Sequence, residues 1–251
     1  MLRSVDFGES DRIVHLLVPE SGRLTAIARG ARRSVRRFSG TLDLFNHLRV
    51  QVDRRRSASM AQMDQATLIR SFSALRVDPA RFAMGCYLLE LMDRLAPEGG
   101  ARQDTRRLFS FALGALQTIA SRPLDLRMRT LLELRALDAL GLRPELRHCV
   151  RCGEPVSGAT VGFHVADGGP VCGRCGQPSD GLLTVGLGTL RMLEQGLRFE
   201  LQHLDRLVPG PRVVDEARRL LGRFQRFHLG VELRSEGFLN EVLGSANGTR
   251  A

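Results

Sequence analysis

Residues 148–176 read HCVRCGEPVSGATVGFHVADGGPVCGRCG, and this stretch holds four of the five cysteines of the chain. They form two C-x-x-C pairs separated by 19 residues. Two residues between thiolates make a tight turn that points both sulfurs the same way. Two such turns can close a tetrahedron at about 2.3 Å per Zn–S bond, so the spacing predicts one zinc ion. Its ligands would be Cys149, Cys152, Cys172 and Cys175.

Other chemistries of a C-x-x-C pair fit less well. Disulfides are typical of secreted proteins, and the N-terminus does not resemble a signal peptide. A thioredoxin-like redox centre needs a βαβ context and no second pair. Four thiolates also fill the coordination shell of zinc, so we expect a structural metal and no active site there. Gly153 and Gly176 follow the pairs, and we expect them to let the chain fold back over the metal without a side-chain clash.

The composition of the 251 residues points to a polyanionic partner. The formal net charge is +10, and all 37 basic residues are arginine. The lack of lysine is typical of codon bias in a GC-rich genome, but arginine still offers a planar fork that binds phosphate bidentately. Residues 1–75 hold 13 arginines against 7 acidic residues, whereas the rest of the chain holds 24 against 20. We therefore expect the polyanion to bind mainly the N-terminal part.

Residues 1–75 are predicted to form a small antiparallel β-barrel. Asp11–Val18 is rich in branched apolar residues, and Arg23–Arg29 returns after a turn, which is the pattern of a hairpin. Apolar and polar residues alternate from Leu42 to Asp53, which predicts a strand with one wet face. A further strand is expected within residues 58–69. Short strands with polar turns over about 75 residues are typical of such barrels.

Residues 76–251 are predicted to form an α-helical domain. Asp78 and Pro79 form a helix start, and Cys86 lies in the apolar run of that helix as a core residue. The cysteine module, at about 146–176, is inserted between helices, and the tail is expected to be disordered from about Gly244. The predicted helical segments are 78–95, 108–119, 128–140, 189–199, 211–229 and 236–243.

Two arginine clusters in residues 1–75 are candidates for contact with a nucleic-acid backbone. A single charge run is often only solvated surface, but two on loops of one β domain favour binding. A third group falls on one face of a predicted helix, and its role stays open. The candidate DNA contacts are Arg23, Arg29, Arg32, Arg33, Arg36, Arg37, Arg54, Arg55 and Arg56. The third group is Arg212, Arg219, Arg223 and Arg226.

Aromatic side chains are few, with 12 Phe, one Tyr and no Trp. The β region contains Phe7, Phe38, Phe45 and Phe72. With so few stacking platforms, phosphate contacts should dominate binding. We therefore expect an affinity that falls steeply with salt and depends little on sequence.

The sequence gives no sign of an enzyme or of a membrane protein. A phosphate-binding loop of the G-x-x-x-x-G-K-[ST] type needs lysine, and the motifs G-x-G-x-x-G, G-x-S-x-G and H-E-x-x-H do not occur. No apolar run reaches 18 residues, so no membrane span is predicted. Free thiols and the lack of a signal predict a cytoplasmic protein. A nuclease with an unrecognised acidic cluster remains a minor alternative.

The order of motifs resembles that of the RecO family of bacterial recombination mediators. GESDRIV at 8–14, the SG turn at 21–22 and ARGARR at 28–33 are similar to its N-terminal signature, and the similarity covers nearly the whole chain. The resembling segments are Arg3–Arg33, Tyr87–Leu91, Leu132–Cys152, Phe163–Cys175 and Phe227–Val242.

The resemblance implies an N-terminal OB-fold, a helical domain and a zinc site at the four cysteines. It also implies a protein that binds single- and double-stranded DNA and anneals complementary strands without ATP. With RecR as a partner, it would place RecA on DNA coated by single-strand-binding protein, in a nucleoid-associated role. The basic loop of the family falls on Arg29, Arg32, Arg33, Arg36 and Arg37.

Two departures from the family pattern matter. Family members begin with a further strand about ten residues ahead of the GESD region, so we expect a misassigned start or a barrel with an open edge. Arg29 also stands where the family has lysine, which keeps the charge but changes the geometry. The alternative function is a zinc-ribbon regulator that reads a specific duplex sequence.

Overall fold

The computed structural model describes residues 1–34, 36–53 and 60–248, and it confirms a mixed α+β protein with an N-terminal sheet and a helical C-terminal part. The chain packs into two compact units. The sheet unit comprises residues 1–121 together with the chain from 233 onward, and the cysteine unit comprises residues 122–232. The sheet unit therefore extends well beyond the boundary at residue 75 that the sequence pattern suggests.

The sheet has the order β1-β2-β3-β5-β4. The predicted hairpin is confirmed, since β2 and β3 are antiparallel with Leu16 opposite Leu24. β3 and β5 run parallel over a short register, so the sheet is mixed rather than purely antiparallel. In the described residues no ladder joins β1 to β4, so the predicted small antiparallel barrel is not closed. The strands are Arg3–Phe7 (β1), Asp11–Val18 (β2), Gly22–Ala28 (β3), Asn46–Asp53 (β4) and Ala61–Ser71 (β5).

The predicted strand from Leu42 starts later than expected. Phe45 has φ of +65°, outside the extended region, so β4 begins only at Asn46. Leu42 is instead buried in the sheet core with Val14 and Met63. From Leu48 onward half-buried and exposed residues alternate as predicted.

Three helices follow the sheet: Ala74–Val77 (α1), Pro79–Leu95 (α2) and Arg102–Ser121 (α3). The predicted start of α2 is confirmed, because the Asp78 carboxylate accepts a hydrogen bond from the Arg81 N–H at 2.8 Å. Tyr87, Leu91 and Met92 on α2 are almost fully buried, so this helix is central to the unit. Cys86 is half-buried on α2, and burial together with the nearby Glu90 carboxylate raises its pKa to about 11.

The cysteine unit contains helices and a small three-stranded antiparallel sheet of order β7-β6-β8. This sheet has no counterpart in the sequence prediction. None of the helices in the described part of the chain is long and apolar enough to span a membrane. The elements are Leu126–Ala139 (α4), Thr160–His164 (β6), Gly169–Val171 (β7), Leu183–Gly186 (β8), Leu187–Arg198 (α5) and Pro211–Leu229 (α6).

The final helix, Arg234–Gly248 (α7), returns to the sheet unit and packs on α2. Leu239 and Leu243 are buried there, and the chain stays helical beyond the predicted end at Leu243. The prediction of a tail without structure from Gly244 is therefore wrong as far as Gly248. Residues 249–251 lie outside the described residues.

Candidate metal centre and nucleic-acid interface

The structure brings the four predicted ligands Cys149, Cys152, Cys172 and Cys175 together. Their sulfur atoms all lie within 4.8 Å of one another, and the sulfurs of Cys152 and Cys172 are 3.7 Å apart. Zn–S bonds of about 2.3 Å give a tetrahedron with edges of about 3.8 Å. The cluster therefore has the size and the donor set of a structural zinc site.

Backbone hydrogen bonds build the first cysteine turn. The Glu145 carboxylate accepts hydrogen bonds from the N–H groups of Leu146, Arg147 and His148 at 2.7–3.0 Å, which fixes the approach to Cys149. Gly153 then turns the chain with φ of +77° and donates its N–H to the Cys149 carbonyl at 2.8 Å. This glycine is favoured by its positive φ and not by the expected avoidance of a clash, because a Cβ there would meet nothing within 4 Å. Glu145 itself was missed, because nothing in its sequence context distinguishes it from an ordinary surface acid.

The second turn follows β7 and closes on the first. The N–H groups of Cys175 and Gly176 both donate to the Cys172 carbonyl at 3.0 Å, and the Cys172 N–H points at the Cys149 sulfur at 3.3 Å. Gly176 does not have a positive φ. A Cβ there would lie 3.2 Å from Leu182 Cδ1, so the expected avoidance of a side-chain clash applies to this glycine.

The four thiols differ in acidity. Burial acts to raise the pKa of Cys149, but N–H groups of Cys172, Arg151 and Cys152 outweigh burial and lower it to about 6. Hydrogen bonds with the Cys172 and Cys152 sulfurs raise the pKa of Cys175 to about 12. Sulfurs this close repel one another when all are ionised, and a divalent cation relieves that repulsion. The residues therefore fit a zinc ion, whose contribution would be structural because no coordination position is left for a substrate.

The basic loop, residues 29–37, is anchored to the sheet near both of its ends. At one end the Gly30 N–H donates to the Asp11 carboxylate at 2.8 Å, and the Arg32 N–H donates to the Ser10 carbonyl at 3.0 Å. At the other end Ala66 on β5 donates its N–H to the Arg37 carbonyl at 3.1 Å. The hydrogen bond from Gly30, followed by that from Ser10, lowers the pKa of Asp11. Sequence reasoning missed this anchor, because it forms only when the strands pair.

The arginines of the basic loop are exposed and only weakly neutralised. Arg32 lies 3.5 Å from the Asp6 carboxylate and Arg33 lies 3.9 Å from that of Glu9, both in solvent-exposed pairs of little energetic weight. The Arg37 guanidinium donates to the Arg29 carbonyl at 2.8 Å and lies over the Phe38 ring. The exposed members are Arg29, Arg32, Arg33, Arg36 and Arg37.

Arg23 does not join the basic loop. It lies on β3, and its guanidinium donates to the Asp93 carbonyl at 2.7 Å and to the Glu98 carboxylate at 2.8 Å. These contacts connect the sheet to α2 and to the turn after it. They argue against the predicted role of Arg23 in DNA contact, because binding a phosphate would break them.

The remaining predicted arginines fall into two groups. The second cluster, Arg54, Arg55 and Arg56, lies outside the described residues. The third group lies on α6 in the cysteine unit, where all four side chains are exposed. This exposure fits the single helix face that the spacing predicts. The group consists of Arg212, Arg219, Arg223 and Arg226.

Fold and site together define a class: a mixed α+β protein that presents an anchored arginine loop and a four-cysteine cluster. The family described as "Recombination protein O N terminal" matches residues 1–72, and "Recombination protein O C terminal" matches residues 76–237. The chain therefore belongs to the recombination protein O (RecO) family, which confirms the resemblance.

Proteins named "DNA repair protein RecO" are similar to the chain over almost its full length. The protein from Anaeromyxobacter dehalogenans strain 2CP-C is 39% identical over 245 residues, which cover 96% of this chain and 94% of the relative. The protein from Myxococcus xanthus strain DK1622 is 36% identical over 245 residues, with 96% and 95% covered.

Proposed function

We propose that the protein acts in DNA repair and homologous recombination by binding DNA through the basic loop. It would bind single- and double-stranded DNA with little sequence preference and anneal complementary strands without ATP. Together with RecR, it would help to load RecA on DNA that is coated by single-strand-binding protein. The observation that carries this proposal is the basic loop, which presents several exposed arginines and is anchored near both of its ends. Membership in the RecO family and the printed names of the relatives support it.

The proposed mechanism of annealing is electrostatic and needs no catalytic group. Two DNA strands repel each other through their phosphates, and guanidinium groups neutralise this charge while they release counterions. A loop that is anchored through Asp11 and Ala66 offers its charges without much ordering of the backbone on binding. The protein would therefore lower the barrier to pairing and act without enzymatic chemistry.

We assign the DNA-binding role to residues 1–75 and interpret their sheet as a partly open OB-fold. The strand order, with β5 inserted between β3 and β4, supports this interpretation, because OB-folds are five-stranded Greek-key barrels that are often only partly closed. Residues 76–251 would form the helical part, with one structural zinc ion at the four cysteines. We further propose a cytoplasmic, nucleoid-associated location.

The test compares two variants that each lose four charges. The loop variant changes Arg29, Arg32, Arg33 and Arg36 to Gln and keeps Arg37, whose guanidinium stabilises the loop. The helix variant changes Arg212, Arg219, Arg223 and Arg226 to Gln. Annealing of complementary labelled oligonucleotides is followed by energy transfer, with and without ATP. We expect annealing by the wild type and the helix variant, none by the loop variant, and no effect of ATP.

Two results would contradict the proposal. Equal annealing by the wild type and the loop variant would remove the basic loop from the mechanism. A preference of about 1,000-fold or more for one duplex sequence would favour a sequence-reading regulator instead.

A further inference from the structure

One aromatic side chain of the N-terminal sheet is exposed. Phe38, Phe45 and Phe72 are at most 4% exposed and belong to the interior, whereas Phe7 is 53% exposed. Of the four phenylalanines in residues 1–75, Phe7 is therefore the one whose ring is open to a ligand. A single exposed ring is common on protein surfaces, so the residues around Phe7 decide whether it is part of a binding surface.

Strand pairing places Phe7 at the end of the sheet where the basic loop is held. Phe7 on β1 is directly opposite Asp11 on β2, and residues that are directly opposite in an antiparallel pair share a face. The Asp11 carboxylate accepts the hydrogen bond from Gly30 at the start of the basic loop. Arg32 also donates to the Glu9 carbonyl in the turn that follows Phe7. The ring and the start of the basic loop therefore lie at the same end of the sheet.

The same face continues as an apolar strip across three strands. Val5 is two residues before Phe7 on β1 and is 41% exposed. It pairs with Ile13 on β2, which pairs in turn with Ile27 on β3, and both isoleucines are half-buried. A flat apolar strip beside a cationic loop matches a ligand that is anionic along one edge and aromatic along the other. Single-stranded nucleic acid has this combination, because its bases are unpaired and their faces are open to stacking.

We infer that Phe7 is a base-stacking platform for single-stranded DNA whose phosphates lie on the basic loop. This inference rests on the proposed DNA-binding function and adds a contact that distinguishes single strands from duplex. Duplex DNA engages only the arginines, since its bases are stacked and paired inside the helix. A protein partner or a second copy of the chain on the same strip would be a different occupant, and the experiment below separates these cases.

The first experiment titrates Phe7→Ala with a labelled single strand and with a duplex of the same sequence. Phe227 on α6 is 59% exposed, so Phe227→Ala is the matched control. Loss of stacking on one base should weaken single-strand binding by about 5- to 150-fold. Duplex binding should change less than about twofold. The slope of log affinity against log salt should not change, because no phosphate contact is removed.

The second experiment uses the lack of tryptophan in the chain. Phe7→Trp places a single tryptophan at the proposed platform, and Phe227→Trp places a single tryptophan at the control site. We expect single-stranded DNA to quench Trp at position 7, duplex to leave it nearly unchanged, and neither DNA to affect Trp at position 227. The Trp variant should also keep the single-strand affinity that the Ala variant loses.

The outcomes separate the inference from the proposed function. If Phe7→Ala binds both DNAs as the wild type does while the loop variant fails, the platform is refuted and the basic loop stands. If Phe7→Ala changes the oligomeric state in sedimentation but not the DNA affinity, the strip binds another copy and the inference is wrong. Equal weakening for both DNAs would also overturn it. If the wild type binds no DNA, the proposed function itself fails.

Discussion

The number of phosphate contacts made by the basic loop can be measured through the salt dependence of DNA binding. Four of its arginines, Arg29, Arg32, Arg33 and Arg36, are exposed and have no strong partner among the described contacts. Each contact with a single strand contributes about −0.7 to the slope of log affinity against log salt. If all four bind phosphate, the loop variant should have a slope less steep by about 2.8 than the wild type.

This difference gives a concrete expectation for a fluorescence-anisotropy titration between 50 and 200 mM salt. The affinity ratio of wild type to loop variant should shrink by about 50-fold over that fourfold change in salt. For duplex, at about −0.9 per contact, the ratio should shrink by about 150-fold. The helix variant loses the same four charges from α6, so it corrects for the effect of net charge alone.

The reasoning would be refuted by either of two results. A loop variant with the wild-type slope would mean that these arginines do not contact phosphate. A helix variant with an equal loss of slope would mean that binding responds to total charge and not to the basic loop. If the slope of the loop variant changes by less than about 2.8, dividing the change by about 0.7 gives the number of these arginines that contact phosphate.

Three further predictions concern the metal and the fold. Cys152→Ser should lower the amount of bound zinc from about one ion per chain and speed amide hydrogen exchange around the cysteines. The control Cys86→Ser should change neither quantity. A full zinc content in Cys152→Ser would show that the four cysteines are not the zinc site. Glu90→Ala should cost about 1 kcal/mol, as for a lost helix cap, because its carboxylate accepts three hydrogen bonds at the start of α7. Burial acts to raise the pKa of Glu90, but the three hydrogen bonds outweigh burial and lower it. The stability that these bonds contribute should therefore be complete above the usual glutamate pKa of about 4.3 and be lost as the pH falls through the lower pKa of the folded state. Amide exchange of α7 with no pH dependence beyond that of the intrinsic exchange rate would contradict this. Gly85→Ala should lower the free energy of unfolding in urea by about 1–3 kcal/mol, although alanine is the better helix former. The reason is that its Cβ would lie 2.6 Å from the buried Phe45 ring. A more stable variant would contradict this and show that the Phe45 ring can shift to make room.

The features that the sequence predicted well are local ones. The two cysteines of each pair are held together by one short turn. Only the contact between the two pairs depends on the rest of the unit. The start of α2 at Asp78 and the bounds of α6 also depend on residues within a single helical turn of each end.

The features that were missed depend on partners far away in sequence. β1 is short and mostly exposed, so it becomes a strand only through its pairing with β2. The parallel contact of β3 with β5 brings Ala26 to Ala61 across a long connection that no local pattern encodes. Helix α7 packs on α2 and continues past Gly244 to Gly248, where the composition alone favours disorder.

Arg23 and Arg32 show the same limit within the candidate site. Both belong to one run of arginines without an acid, so the sequence correctly places a positive field there but cannot tell which guanidinium groups are available. The structure separates them, because Arg23 binds the Asp93 carbonyl and the Glu98 carboxylate while Arg32 stays exposed. A variant that changes all the arginines of the run would mix lost phosphate contacts with a loosened junction between the sheet and α2. Keeping Arg23 is therefore what makes a change in DNA binding interpretable.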